Sequence, residues 1–191
     1  GVPFQRHVEV AVQCIASAAD LAAARARNAK LPPATAGKVV PEVVRIIDTA
    51  AAAGRDLLET EARDVLKAYG IAMPRHVLVR KPAEAAAVSR TFGDLKLAMK
   101  VVSADIPHKS EAQGVMLNVA GAQALETAFN EIDARVRAYR QDARVEGVLV
   151  TPMAGRGTEV IIGVSRDPQH GPVIMFGLGG VFVEVIGDVV F

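Results

Sequence analysis

The chain has 191 residues, a formal net charge of +1 at pH 7 and 51% hydrophobic residues. This hydrophobic content is enough for a packed core, and the near-neutral charge gives no electrostatic reason to expect binding to DNA, RNA or anionic membranes. Aromatic residues make up 4% of the chain and tryptophan is absent, which disfavours a base-stacking surface, and a lone cysteine, Cys14, excludes an internal disulfide.

Residues 1–37 are interpreted as the tail of an upstream domain followed by a linker. Apolar residues recur at helical spacing at Val8, Val12, Ile15 and Ala19. Two prolines, at 32 and 33, then stop the helix and stiffen the chain. Charged residues interrupt the first apolar stretch, so a secretory signal peptide is not predicted.

The pattern of residues 38–150 predicts two helices and then the order strand-helix-strand-strand-helix-strand. Glycine and proline residues bound the predicted segments. Helices are predicted at 41–53, 59–69, 83–91 and 122–139, and strands at 76–79, 95–102, 115–119 and 145–150. The order is typical of a split βαβ arrangement, for which we expect mixed strand directions.

Residues 151–191 are predicted to begin a second sheet, with strands at 159–164, 172–176 and 181–186. The fold class is therefore expected to be α+β. Four glycines and two acidic residues interrupt the long apolar run from Val173 to Phe191, so a membrane helix is not predicted there and we expect a cytoplasmic protein. Because an apolar strand pattern continues to Phe191, the sheet is expected to be unfinished at the C-terminus.

Lys100 is an unusual residue for its place, because the segment Leu95–Val102 otherwise reads as an apolar strand. A lysine near the end of a strand can extend its ammonium group to solvent. Alternatively, it can be a fixed cation for an anion such as a nucleotide phosphate, which would offset the cost of burying the charge. The residues of the strand alone leave both interpretations open.

The polar segment Ser103–Gln113 follows that strand and contains His108, Lys109 and Ser110. It is either a solvated crossover or an anion-binding loop, in which backbone amides and a lysine hold phosphate. No Gly-x4-Gly-Lys-Ser/Thr motif occurs in the chain, and no Gly-x-Gly-x-x-Gly follows a strand. A nucleotide site would therefore use another architecture.

Several blocks of the sequence match one family in the same order. The blocks are Glu61 to Tyr69-Gly70-Ile71 with Pro74, Met99-Lys100-Val101-Val102-Ser103, His108-Lys109-Ser110, Gly147-Val148-Leu149-Val150-Thr151-Pro152-Met153, Gly157-Thr158-Glu159-Val160-Ile161-Ile162-Gly163, Asp167-Pro168, Gly171-Pro172, and Phe176-Gly177-Leu178-Gly179-Gly180 with Glu184 and Asp188. On these blocks, the stretch from about residue 57 to 191 resembles the ATP-grasp portion of NDP-forming acyl-CoA synthetases, relatives of succinyl-CoA synthetase. Residues 1–30 similarly resemble the tail of the CoA-ligase domain that precedes ATP-grasp in the fused enzymes.

The resemblance implies an ATP-grasp fold, with its N-terminal lobe at 38–150 and the start of its C-terminal lobe at 151–191. It also implies an acid–CoA ligase (ADP-forming), of which this chain is only part. Such an enzyme reversibly converts an acid, CoA and ATP into acyl-CoA, ADP and phosphate through phosphohistidine. His108 occupies the place of the histidine that relays phosphate to the nucleotide in this family.

The resemblance also implies partners. They are ATP or ADP, and a carboxylic acid and CoA that bind through a CoA-ligase domain or subunit; the protein is expected to be an oligomer. Magnesium is expected as well, but in the family its carboxylate ligands come from a segment that would lie beyond Phe191. No metal ligand is therefore assigned within this chain.

Eight residues are expected to bind the nucleotide on the same grounds. Lys100, Ser103, Lys109 and Ser110 are expected at the phosphates. Thr151, Pro152 and Met153 are expected to form the hinge between the lobes, where the backbone reads the adenine edge and Met153 packs on the ring; the alternative is an ordinary strand exit. Glu159 matches the position that hydrogen-bonds ribose, since a carboxylate accepts from two hydroxyls; the alternative is a strand-face carboxylate paired with Arg156.

The loop departs from the family pattern His-Lys-Ser-Asp-x-Gly-Gly-Val at two positions. Glu111 replaces the aspartate, and Gln113 replaces the first glycine, where a side chain is added to backbone that approaches phosphate. The second interpretation of the chain is therefore a regulatory ATP-grasp-like module of a protein acetyltransferase. A third is an ATP-grasp remnant without a ligand. The presence of His108 favours the ligase.

Overall fold

The computed structural model of the protein describes residues 8–30, 37–155, 157–168, 171–179 and 189–190. The chain divides into two compact units, Gly1–Val39 and Val40–Phe191. In the first unit the predicted helix is confirmed as α1 (Val8–Asn28). The three-part domain division expected from the sequence stays a prediction.

Two helices begin the second unit, α2 (Pro41–Ala52) and α3 (Glu59–Ala68). The start of α3 is fixed by the Glu61 carboxylate, which accepts a hydrogen bond from the Leu58 N–H at 2.8 Å and two from the Arg55 guanidinium, each at 2.7 Å. A side chain that reaches back in this way satisfies an amide that the helix leaves without a partner. The Arg55 hydrogen bonds also hold the pKa of Glu61 below its ordinary value.

A four-stranded sheet with two helices follows, in the order predicted. Its elements are β1 (Val77–Val79), α4 (Pro82–Phe92), β2 (Leu97–Val102), β3 (Val115–Val119), α5 (Ala122–Tyr139) and β4 (Gly147–Pro152). The strand order across the sheet is β1-β4-β2-β3, and each neighbouring pair is antiparallel. The predicted split βαβ arrangement, with strands running in both directions, is confirmed: β1 and β2 run parallel, and β4 lies between them and pairs antiparallel with both.

The core of this unit forms where α4 and α5 pack on each other and on one face of the sheet. Alternate residues of β2 belong to this core, as the period of two in a strand requires. Its fully buried large side chains include Val79, Leu97, Met99, Val101, Leu125, Ile132, Val136, Val148 and Val150. The other face of β2 therefore carries Ala98, Lys100 and Val102.

A second, antiparallel sheet contains β5 (Val160–Asp167), β6 (Gly171–Leu178) and β7 (Val189–Val190), in that order. Two of the three strands predicted after residue 151 are thus confirmed as longer strands, although β5 begins one residue later than predicted. The strand predicted at 181–186 lies outside the described residues. None of the helices in the described ranges is long and apolar enough to cross a bilayer.

Candidate functional site

Lys100 lies in β2 with a hydrogen-bonded strand on each side. It is opposite Leu149 of β4 and Val115 of β3. Its neighbours along the strand, Met99 and Val101, are fully buried, whereas 34% of the Lys100 side chain is exposed. The sheet therefore fixes the backbone of Lys100, and its ammonium group reaches a polar surface.

The loop after β2 closes back on the strand in a compact turn. The Gly114 N–H donates to the Lys109 carbonyl at 2.8 Å, and the Val101 N–H donates to the Gly114 carbonyl at 2.8 Å. A Cβ atom at position 114 would come within 2.5 Å of Val101 Cγ1, so a side chain there would force the loop away from β2. The glycine thus brings the loop beside Lys100.

The first half of the loop is tied to the segment between α5 and β4. Arg144 donates from Nε and Nη2 to the two carboxylate oxygens of Asp105, each at 3.0 Å, and its backbone N–H donates to Oδ2 at 2.8 Å. Arg140 Nη1 donates to the Asp105 carbonyl at 3.0 Å. The bonds from Arg144 hold the pKa of the Asp105 carboxyl well below its ordinary value.

Four of the residues expected to bind or relay phosphate line one cavity. The cavity has a volume of about 450 Å³, and its lining is Glu59, Lys100, Pro107, His108, Lys109, Ser110, Glu111 and Val115. His108 and Ser110 are exposed. An exposed imidazole and two ammonium groups in one cavity can attract a phosphoryl group and present a nucleophilic nitrogen to it.

Ser103 does not line this cavity, although it was expected at the phosphates. It is buried, and its Oγ accepts a hydrogen bond from the Asp105 N–H at 3.1 Å. The hydroxyl thus shapes the start of the loop, as short polar side chains commonly do in turns.

Sequence reasoning did not single out Glu59 and Arg63, which belong to the same cluster of charges. Glu59 is the first residue of α3, and its carboxylate lies 3.7 Å from Lys100 Nζ and 3.6 Å from Lys109 Nζ. Arg63 Nη2 donates to Glu59 Oε1 at 3.3 Å. The i, i+4 spacing of this acidic and basic pair on a helix is a sequence signal for their contact, but nothing local connects Glu59 with the two lysines.

The residues expected at the hinge lie in and after β4, outside the lining of that cavity. Thr151 is opposite Ala98 and thus on the face of the sheet that carries Lys100. It is buried, and its Oγ1 donates to the Arg75 carbonyl at 3.0 Å. The Met153 N–H donates to the Lys96 carbonyl at 2.9 Å, so the sheet already uses this amide.

Glu159 also lies outside the cavity lining. Its side chain is exposed just before β5, and its carbonyl accepts from the Gly179 N–H at 2.8 Å. Its suggested alternative partner, Arg156, lies outside the described residues.

Gln113, which stands where the family pattern has glycine, adopts a left-handed backbone conformation with φ of 49°. Residues with a Cβ atom adopt this region at a cost, whereas glycine does not. The family preference for glycine therefore has a conformational reason at this position. The loop still closes with glutamine, since the Gln113 N–H donates to the Ser110 carbonyl at 3.0 Å.

Magnesium ligands are not assembled in the described part of the chain. Within the described ranges no group of three or more histidine, cysteine, aspartate or glutamate side chains is placed to hold a metal ion. The two acidic residues of the cavity, Glu59 and Glu111, do not make such a set by themselves.

Comparison with known proteins gives the family. The family model of the ATP-grasp domain matches residues 49–191, so the chain belongs to the ATP-grasp domain family. Over 151 residues the chain is 46% identical to the beta subunit of acetate–CoA ligase (ADP-forming) II of Pyrococcus furiosus. That match covers 78% of this chain and 64% of the relative.

Two solved structures of acetyl-coenzyme A synthetase 1 from Candidatus Korarchaeum cryptofilum are also similar. One, in complex with coenzyme A, Ca-AMPCP and HgCl+, is 40% identical with a TM-score of 0.71, covering 76% of this chain and 63% of that chain. The other, with coenzyme A and Mg-AMPPCP and with its phosphohistidine segment pointing towards the nucleotide binding site, is 36% identical with a TM-score of 0.61, covering 77% and 62%. The chain thus spans less than two thirds of the length of these relatives.

These comparisons confirm the α+β ATP-grasp fold and the resemblance to NDP-forming acyl-CoA synthetases. The roles of individual residues stay predictions.

The Asp105 contacts predict how stability depends on pH. A carboxyl whose pKa is lowered by folding stabilises the protein above its unfolded pKa, about 3.9 for aspartate, and loses that contribution as the pH falls towards the lower folded value. Asp105→Asn is therefore expected to lower the free energy of unfolding by a constant amount between about pH 5 and 8. Below about pH 4 the difference from the unaltered protein should shrink. Urea unfolding of both proteins at a series of pH values measures this difference in unfolding free energy. A difference that grows in acid would contradict the lowered pKa of Asp105 in the folded protein.

The left-handed conformation of Gln113 predicts that Gln113→Gly stabilises the protein. The relief of a left-handed side-chain residue, about 1–2 kcal/mol, exceeds the extra conformational entropy of glycine, about 0.5–1 kcal/mol, so a gain of about 0.5–1 kcal/mol is expected. Glu111→Gly is the control in the same loop, because its φ is not positive; it should be less stable than the unaltered protein. Denaturant unfolding measures the stability of both variants and of the unaltered protein. A loss of stability in Gln113→Gly would show that the left-handed conformation of Gln113 carries no net cost.

Proposed function

We propose that this chain is the nucleotide-binding part of an NDP-forming acyl-CoA synthetase, in which His108 accepts and donates the transferred phosphoryl group. The observation that carries the proposal is the common cavity of Lys100, His108 and Lys109. The names of the relatives, ADP-forming acetate–CoA ligase and acetyl-coenzyme A synthetase, support the same class of reaction.

The phosphoryl transfer follows from the groups in the cavity. A neutral nitrogen of the His108 imidazole attacks the terminal phosphorus of ATP, a nitrogen–phosphorus bond forms, and the bond from that phosphorus to the bridging oxygen of ADP breaks. Lys100 and Lys109 bind the phosphate oxygens and offset the charge that moves between donor and acceptor. The reverse sequence forms ATP from ADP, as a reversible ligase requires.

The rest of the nucleotide extends along the same face of the sheet. Thr151 is opposite Ala98, two residues before Lys100 on β2, which corresponds to roughly 7 Å along the strand. We place the base near Thr151, Pro152 and Met153 and the ribose towards Glu159. This arrangement separates the base from the phosphates by the length of a few strand residues.

Other parts of the enzyme must complete the reaction. The chain spans 64% of the Pyrococcus beta subunit, whose name places it in a multi-subunit enzyme. We infer that CoA and the carboxylic acid bind through a CoA-ligase domain or subunit, and that magnesium, held by residues other than those described, supplies charge neutralisation at the phosphates. We place this oligomeric enzyme in the cytoplasm.

The role of His108 predicts labelling. The full-length protein, incubated with magnesium and ATP radioactive in its terminal phosphate, should become labelled with phosphate that is labile in acid and stable in base. His108→Asn should lose the label because the substitution removes the imidazole nitrogen that accepts the phosphoryl group. His76→Asn, which changes a histidine outside the cavity, is the control and should keep it. Persistence of the label in His108→Asn would refute the relay.

The role of Lys100 predicts a loss of nucleotide affinity. A hydrogen bond to a charged group contributes about 1.5–3 kcal/mol, so Lys100→Ala is expected to raise the Kd for ATP by roughly ten- to hundredfold. Lys81→Ala removes an exposed lysine at the start of α4 and should leave the Kd unchanged. Calorimetry measures both values, and an unchanged Kd in Lys100→Ala would remove this residue from the site.

A further inference from the structure

The carboxylate of Glu59 lies among three cations. Lys100 Nζ is 3.7 Å from Oε1, Lys109 Nζ is 3.6 Å from Oε2, and Arg63 Nη2 is 3.3 Å from Oε1. The side chains are only partly accessible, with 21% of Glu59, 34% of Lys100 and 26% of Lys109 exposed. Glu59 therefore places an internal negative charge between the two lysines that we assign to the phosphates.

The contacts of Glu59 with the lysines are loose. Strong hydrogen bonds between an ammonium and a carboxylate are about 2.7–2.9 Å long, and both lysine distances here exceed that by most of an ångström. The two ammonium groups are attracted to the carboxylate, but their N–H donors are not consumed by it. A phosphoryl group could therefore take them with shorter bonds.

Arg63 offers donors that nothing in the described part of the chain uses. The residue is only 8% exposed, and its Nε and Nη1 atoms have no hydrogen-bond partner among the described residues. Buried guanidinium donors without an acceptor carry a desolvation cost. Among the described residues, the carboxylate paired with this guanidinium is that of Glu59, one turn earlier on α3, which already accepts from Nη2.

We propose that Glu59 and Arg63 are positioning residues for phosphoryl transfer, acting by exchange of an internal anion for phosphate. Without a phosphoryl group, the Glu59 carboxylate keeps the two lysine side chains in the cavity. When a phosphoryl group binds the lysines, the carboxylate moves onto the free donors of Arg63 and forms a two-bond pair with its guanidinium. This inference rests on the proposed function, because it assumes that the lysines bind phosphate.

The exchange makes an unusual prediction about the direction in which phosphate affinity changes when the Glu59 carboxylate is removed. If Glu59 only held the lysines in place, its removal would weaken phosphate binding. If it competes with phosphate for them, its removal strengthens binding, because no anion has to be displaced. With its charge screened as in bulk water, the gain for one unit charge at this distance is about three- to tenfold in Kd.

The test uses the full-length protein, with Kd values for magnesium-ATP and for inorganic phosphate measured by calorimetry. Glu59→Gln is expected to bind both probes about three- to tenfold more tightly. Arg63→Met is expected to bind them more weakly, because the displaced carboxylate loses its new partner, and Arg63→Lys should recover part of the loss. In the double variant Glu59→Gln/Arg63→Met, loss of Arg63 should matter little, because the residue acts through Glu59.

The matched control is Glu131 with Arg135, another i, i+4 pair, which lies on α5 and outside the cavity. Glu131→Gln and Arg135→Met should leave both Kd values unchanged. Weaker or unchanged binding in Glu59→Gln overturns the exchange while leaving the proposed function intact, provided that Lys100→Ala still weakens ATP binding. If Arg63→Met does not fold, the direction in which Glu59→Gln changes the two Kd values is enough to decide whether the exchange occurs. If the unaltered protein does not bind ATP, both the proposed function and the exchange are wrong.

Discussion

The site depends on the pairing of β2 with strands on both of its sides. This pairing holds Lys100 opposite Leu149 and Val115, with buried neighbours before and after it. Because strand pairing fixes the backbone of Lys100, only the side chain can move, and the ammonium group can reach only a limited volume. The loop after β2 has to return to that volume, and the close approach of Gly114 to Val101 makes it do so.

Charge balance then determines what the cavity can do. Partly buried ammonium groups are costly without an anion nearby, and the fold supplies one from the first turn of α3. That turn is itself fixed by Glu61, which accepts from Arg55 and from the backbone N–H of residue 58. The capping residue Glu61 and the cavity carboxylate Glu59 thus belong to the same first turn of α3. In the proposed exchange, the Glu59 carboxylate holds the two lysine side chains in the cavity until a phosphoryl group replaces it.

Much of the fold was predictable from local patterns. The helix at 122–139 and the strand at 115–119 have the predicted bounds, because strong periodicity and flanking turn residues specify them. The strand predicted at 145–150 instead begins at Gly147, where a Cβ atom would come within 2.5 Å of the Val79 carbonyl oxygen. The order of the strands across the sheet was not predicted, because pairing between distant segments leaves no local pattern. The residues predicted for the phosphate site, Lys100, His108, Lys109 and Ser110, do line one cavity. Glu59 was not foreseen there, because it is far from them in sequence and no local pattern connects it with them.

A crystal structure of the protein with magnesium and a non-hydrolysable ATP analogue tests the central claim most directly. The account predicts that oxygens of the terminal phosphate lie within about 3 Å of Nζ of both Lys100 and Lys109, with the phosphorus facing the imidazole of His108. An analogue whose phosphates bind away from the loop between β2 and β3 would contradict it.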